Sequence, residues 1–224
     1  MSERLSAPSV TVSIRMVSQL LDRLGAHHTR ALDCIARAGI APPLLDQESA
    51  RVTVEQFALF YRTLAIELDD ETPGMFSRPL RAGTLKFLCL GMLDAAHLRV
   101  ALHRFCWVFR LVLDDLHFEM GEEDGLTRIA LVERTDLGHH RILILELMLM
   151  LVQGIASWMI ERKLLFARVD LNYPAPAHAG EYINMYAGPA RFDQARTAHF
   201  IEPVYMDAPI RQDKASLSGF LRKA

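Results

Sequence analysis

Hydrophobic positions recur at helical spacing through the first half of the chain and in short alternating runs through much of the second. Between them lies a stretch that is apolar on nearly every side. Residues 139–163 read HHRILILELMLMLVQGIASWMIERK, and from 142 to 160 only Glu146, Gln153, Gly154 and Ser157 interrupt the apolar run. At about 100° per residue His139, Glu146, Gln153 and Ser157 fall within about 40° of one another. The pattern predicts a long helix with one thin polar stripe, Met150 set into it, which must be enclosed by protein or by lipid.

The remaining elements follow in order. Residues 9–14 alternate β-branched and small polar side chains, which suits a short strand. Helices are expected over 15–24 (Met16, Leu20, Leu21, Leu24 on one face, Gly25 closing it), over 29–38 (Leu32, Ile35, Ala36, stopped by Gly39) and over 52–68. The last opens on Thr53 and Gln56 at capping-box spacing. An acidic turn, DDETPG, precedes an apolar segment at 75–93 that reads as helical. Asp94 is placed to cap the next helix, to about residue 112, whose buried face is Leu98, Ala101, Leu102, Phe105 and Phe109. Apolar runs at 113–120 and 126–133 flank GEEDG, a hairpin signal. After the long helix come a strand at 168–172, a short helix at 177–186, β-like pieces at 190–193 and 197–201, and a charged amphipathic tail. The expected fold is α+β in one domain. A helical half (1–112) packs on a ββαβαββ half (113–210) with one long central buried helix, and a linker-like tail (211–224) follows.

Composition narrows the function classes. A chain of 224 residues that is 51% hydrophobic can bury a sizeable core, and a net charge of −2 gives no polyanion-binding signature. Cys34, Cys89 and Cys106, odd in number and in apolar helical contexts, read as reduced buried thiols of a cytoplasmic protein. Residues 142–160 are long enough for a membrane span. The polar stripe, the lack of a second such segment and the strand that follows directly favour a buried helix instead.

Motif chemistry is sparse: G-x-S-x-G, P-loop, G-x-G-x-x-G and H-E-x-x-H are all absent. The pairs His27-His28 and His139-His140 point about 100° apart on a helix, so no metal or other cofactor is expected. Cys106 and His103 have nucleophile–base spacing without an orienting third group. Glu146 is the residue that demands an explanation, because an unpaired carboxylate among Leu, Ile and Met is too costly. It pairs with an arginine or a backbone N–H, lines a ligand cavity, or meets a second subunit. Gln153 and Ser157 below it suit an apolar pocket with a few placed polar groups, and the methionines suit a pocket of adaptable shape.

The order of segments carries a resemblance. Ala38-Gly39-Ile40, Leu44-Leu45-Asp46, Arg51-Val52 and Gly74-Met75-Phe76 precede the helix with Leu98, Ala101-Leu102 and Phe105. A long helix with an early Glu146 follows, then Val169, Leu171, Pro174, Tyr182, Gly188-Pro189-Ala190-Arg191-Phe192, Phe200, Asp207 and Pro209. From about residue 17 to 213 this resembles the arabinose-binding-like N-terminal effector domain of AraC/XylS-type transcription regulators. His97 stands where the family often has Thr, and Asn172 where it usually has His. Nothing in the chain matches the family's helix-turn-helix unit.

The resemblance implies a ligand-sensing, homodimerising domain that controls a DNA-binding domain outside this sequence. On this reading a small, largely apolar effector enters between the long helix and the sheet, with contacts expected from Trp107, Arg110, Glu146, Met150, Gln153 and Ser157; no membrane partner is expected, and DNA contact comes only through the absent domain. Two other classes stay open: a ligand-free dimerisation scaffold, and a small hydrolase or isomerase using Glu146 with His139 or His103. The aromatic and basic side chains of 95–112 are a candidate subunit surface.

Overall fold

The computed structural model describes residues 11–24 and 28–222; Gly25, His27 and the first residues of the expected opening strand lie outside them. The chain is α+β and divides into two compact units, Met1–Met75 with Pro79–Ala82, and Phe76–Arg78 with Gly83–Ala224.

In the first unit β1 (Thr11–Ser13) pairs antiparallel with β2 (Arg51–Thr53). The helix α1 (Ile14–Leu24) buries Met16, Leu20, Leu21 and Leu24, as their spacing predicts. In α2 (His28–Arg37) the buried face is Ala31, Cys34 and Ile35, while Leu32 is 40% exposed. Of the expected face only Ile35 is buried; Leu32 and Ala36 are exposed, so the face is turned towards Ala31 and Cys34. Gly39 ends this helix at φ +68°, a left-handed conformation that costs glycine little. The expected capping box opens α3 (Val54–Leu68): Thr53 Oγ1 accepts from the Gln56 N–H at 3.1 Å, and Gln56 Oε1 accepts from the Thr53 N–H at 3.0 Å.

After α3 the Asp70 carboxylate accepts hydrogen bonds from the Thr72 N–H and hydroxyl and from the N–H groups of Gly74 and Leu80. That carboxylate takes the place of helical bonding, and Pro79 and Gly83 (φ +97°) interrupt the run. The helix expected over 75–93 therefore shrinks to α4 (Thr84–Leu90).

The second unit holds α4, α5 (Leu98–Val112) and a five-stranded sheet in the order β3-β4-β7-β5-β6. α5 buries the predicted Leu98, Ala101, Leu102, Phe105 and Phe109. Phe105 and Phe109 lie 4.9 and 5.0 Å from Phe118 of β3 (Leu116–Glu123), which is why this helix groups with the sheet. Its N-cap is His97, without a side-chain cap; Asp94, the expected cap, pairs with Arg104. The Leu98 N–H donates to Ala208 O at 2.9 Å, so the Asp207-Pro209 motif helps to fix where the helix begins. β4 (Leu126–Glu133) returns from β3 through Asp124 and Gly125, both at positive φ, a two-residue turn shorter than the expected GEEDG.

The long helix forms as α6 (Arg141–Met159) and is buried almost continuously from Leu143 to Leu149. By length and composition it could cross a membrane, yet 61% of its most apolar window is buried within the protein. Past it lie β5 (Phe166–Asp170), α7 (Tyr182–Met185), β6 (Ala190–Arg191) and β7 (Thr197–Ile201), with β5 and β6 parallel and the other pairs antiparallel. One sheet face carries Ala130, Ala198 and Phe200, with the Arg168 guanidinium 3.6 Å from the Phe200 ring centre. The other carries Ile129, Val169 and His199 in register. After α8 (Pro203–Met206), Asp213 caps α9 (Lys214–Leu221). Leu217 is buried and Phe220 stacks on Trp158 at 4.4 Å, so most of the segment expected as a tail is packed helix.

Candidate functional site

Glu146, six residues into α6, has no exposed surface. A carboxylate in such surroundings must find hydrogen-bond donors or counter-charge. Its partners are the Tyr182 hydroxyl, which donates to Oε1 at 2.5 Å, and His178 Nε2, 2.5 Å from the same oxygen. The Tyr173 hydroxyl lies 3.1 Å from that of Tyr182 and extends the network. A tyrosine and a histidine thus occupy the place that sequence reasoning gave to an arginine or a backbone N–H. The carboxylate's full burial within one chain also removes it from any subunit surface.

These partners come from the excursion between β5 and β6. Asn172 pins its start, its Oδ1 accepting from Arg141 and from the Thr197 hydroxyl, each at 2.7 Å. A 3-10 turn, Ala179–Glu181, then feeds the single turn of α7, which carries Tyr182. Phe192 stacks on Tyr182 at 5.4 Å. At Gly188 an added Cβ would sit 2.4 Å from Phe166 O, so only glycine lets the chain return this close to β5. The Gly188–Phe192 motif is thereby a device for seating Tyr182 against Glu146.

Beside this network lie two further polar side chains. Tyr186 is 1% exposed and His199 is 0% exposed. Among the described residues neither the Tyr186 hydroxyl nor either His199 nitrogen has a protein hydrogen-bond partner. Their rings are 5.9 Å apart, edge to face, and His199 stacks on Phe166 at 3.8 Å. Burial pushes the His199 pKa down to about 3, so the imidazole is neutral. Burial first, then Glu146 and Tyr173, holds the Tyr182 phenol far above its ordinary range. Tyr186 is raised by burial, then Tyr173 and Glu146. Both phenols therefore act as neutral hydroxyls at neutral pH.

The residues singled out from sequence separate. Met150 and Gln153 are half-buried further along α6, and Gln153 Oε1 is enclosed without a hydrogen-bond partner. Ser157 closes the helix connection, its Oγ accepting from the Leu164 N–H at 3.1 Å. Trp107 is 65% exposed and Arg110 is exposed, both on the outer side of α5. The cluster at Glu146 contains neither. Sequence reasoning did not single out His178, Tyr186 or His199; the available signal for His199 was a lone imidazole within the otherwise fully buried strand Thr197–Ile201.

Reactive chemistry finds little here. Burial pushes the Cys106 thiol up to about 12, which keeps it protonated, and His103 is exposed. Among the described residues no group of three or more His, Cys, Asp or Glu is gathered in metal-binding fashion.

Comparison with known proteins locates this arrangement. The family model described as the arabinose-binding domain of AraC transcription regulators, N-terminal, matches residues 29–210. The ornithine utilization regulator of Pseudomonas aeruginosa is 22% identical over 211 residues, covering 94% of this chain and 62% of the regulator. The chain thus spans about three fifths of that curated relative's length. The crystal structure of the transcriptional regulator CdpR from Pseudomonas aeruginosa shares the fold, with a TM-score of 0.51 at 13% identity over 84% of this chain and 58% of that one. With a family match over most of its residues, and with the Gly188–Phe192 and Asp207–Pro209 motifs performing definite structural work, this chain belongs to the AraC-type transcription regulators as their N-terminal arabinose-binding-type domain.

Proposed function

We propose that the domain senses a small, largely apolar effector, forms a homodimer and controls a DNA-binding domain outside this sequence, in the cytoplasm and without catalysis of its own. The observation that carries the reading is Glu146. A fully buried carboxylate held by a phenol and an imidazole is an expensive feature for a core with no use for it. Binding pockets have this make-up, mostly apolar with a few fixed polar groups. Effector contacts are assigned to the Glu146 network with Met150 and Gln153, while Ser157 supports the end of the same helix. Trp107 and Arg110, in solvent on α5 with Leu111 63% exposed beside them, are assigned to the subunit surface. Effector shifts the regulator only through unequal affinity for two arrangements of the domain.

The test is thermal shift and native mass spectrometry against a metabolite library that includes ornithine, the compound in one relative's name. A ligand at a hundredfold over its dissociation constant adds roughly 3 kcal/mol of stability. If no compound at high excess raises the melting temperature, the sensing proposal fails. A second reading, a ligand-free dimerisation scaffold, draws on Glu146 having its hydrogen bonds within the chain. It predicts a concentration-dependent dimer and no hit.

A further inference from the structure

We infer that Tyr186 and His199 form the polar end of the effector site and select a non-anionic molecule bearing a hydroxyl or primary amide. This inference rests on the sensing proposal above. Native interiors rarely leave polar atoms unmet, and here three fall on two neighbouring side chains: one phenol hydroxyl and both nitrogens of one imidazole. Among the described residues the polypeptide supplies no partner. In β7 the residues paired with His199 are Ile129 and Val169, and its ring lies against Phe166. Water or a ligand can satisfy these atoms, and the ligand is the partner assigned here.

The chemistry of the pair defines the ligand. A neutral imidazole offers one N–H donor and one bare nitrogen acceptor, and a phenol offers a donor beside its lone pairs. A hydroxyl or a primary amide, itself donor and acceptor, matches that set. A carboxylate or phosphate matches it poorly, because burial disfavours the imidazolium that would offset the anion's charge and Glu146 lies close enough to act on Tyr186. Phe166 and Tyr186 provide aromatic walls, which suits a flat apolar body behind the polar group.

The experiment uses the whole chain with ¹⁵N-labelled histidine and four single-ring probes: benzyl alcohol, phenol, and the equal-sized pair benzamide and benzoate. At millimolar concentration the three neutral probes are expected to move the His199 ring nitrogen resonances saturably and to raise the melting temperature, and benzoate to do neither. Tyr186→Phe keeps the ring and His199→Phe keeps a flat aromatic side chain; each should weaken the neutral probes at least tenfold while still melting cooperatively. The inference is overturned if benzoate binds as well as benzamide, if both variants respond like wild type, or if no probe moves the His199 lines, which leaves a bound water as the partner. A library compound that stabilises wild type and both variants equally would sink this inference and leave the sensing proposal standing. A library without hits would sink that proposal itself.

Discussion

α5 and α6 are both rich in large hydrophobic side chains, and they dispose of their polar residues in opposite ways. In α5 the buried residues keep strict helical spacing, while His103, Trp107 and Arg110 face solvent. In α6 the hydrophobes go all the way round, and the early polar residue, Glu146, is enclosed as completely as they are. A helix with a clear apolar stripe announces which side is core, so its polar side chains default to water. A uniformly apolar helix makes no such announcement. Its polar residue must be met by something, and what meets it lies elsewhere in the chain.

Mutation can break or sharpen this contrast. The largest effect is expected on the buried side of α5. Phe105→Ala opens a void against Phe109 and Phe118, and urea denaturation should show a loss of about 3–5 kcal/mol. Glu146→Ala comes next. It removes the carboxylate that both the Tyr182 hydroxyl and His178 bond to, and about 2–4 kcal/mol should go from the same measurement. A loss under about 0.5 kcal/mol, the range of ordinary surface substitutions, would show that Glu146 behaves like an α5 surface residue and end the comparison.

Tyr182→Phe removes one hydrogen bond to the carboxylate and one to Tyr173, while the ring stays against Phe192. Calorimetry should register about 1–2 kcal/mol. His199 supplies a pH signature. Its folded pKa of about 3 lies below the ordinary 6.5, so the unfolded chain binds a proton in that window that the folded chain refuses. Stability from this residue is complete above pH 6.5 and falls as pH drops towards 3, by at most about 1.4 kcal/mol per pH unit. His199→Phe should flatten that part of the stability–pH curve relative to wild type. The smallest effect is expected on the outer side of α5. Trp107→Ala and Arg110→Ala should each leave monomer stability within about 0.5 kcal/mol. Sedimentation equilibrium on the same proteins then tests whether this face pairs subunits.

The elements that were legible had local causes. The Thr53–Gln56 box, the left-handed Gly39 and the Asp124-Gly125 turn are encoded within a few residues, and they formed where their spacing put them. The misread segments were decided by side-chain partners beyond one helical turn as well as by Pro79 and Gly83 within the run. Residues 75–82 are apolar enough for helix, yet the carboxylate of Asp70 collects the backbone N–H groups of Gly74 and Leu80. Asp94 had the position of a cap and met Arg104 instead. In the site, Glu146 stood out because one carboxylate in an apolar run is conspicuous. His178 and Tyr186 sit in an ordinary-looking mixed segment, and nothing in their own neighbourhood marks them.

The order of hydrophobic and polar residues by itself determined that this chain would build amphipathic helices, a hairpin and one rod without a polar face. It also determined that Glu146 would need a partner, since the cost of isolating a charge is a property of the residue and its immediate surroundings. Only the tertiary structure decided that the partner would come from the turn between two later strands, and that Tyr186 and His199 would arrive beside it. Sheet pairing brings residues about 30 to 50 positions away to Glu146 through glycine-permitted backbone contact and strand register, and no local period in the sequence records such distances.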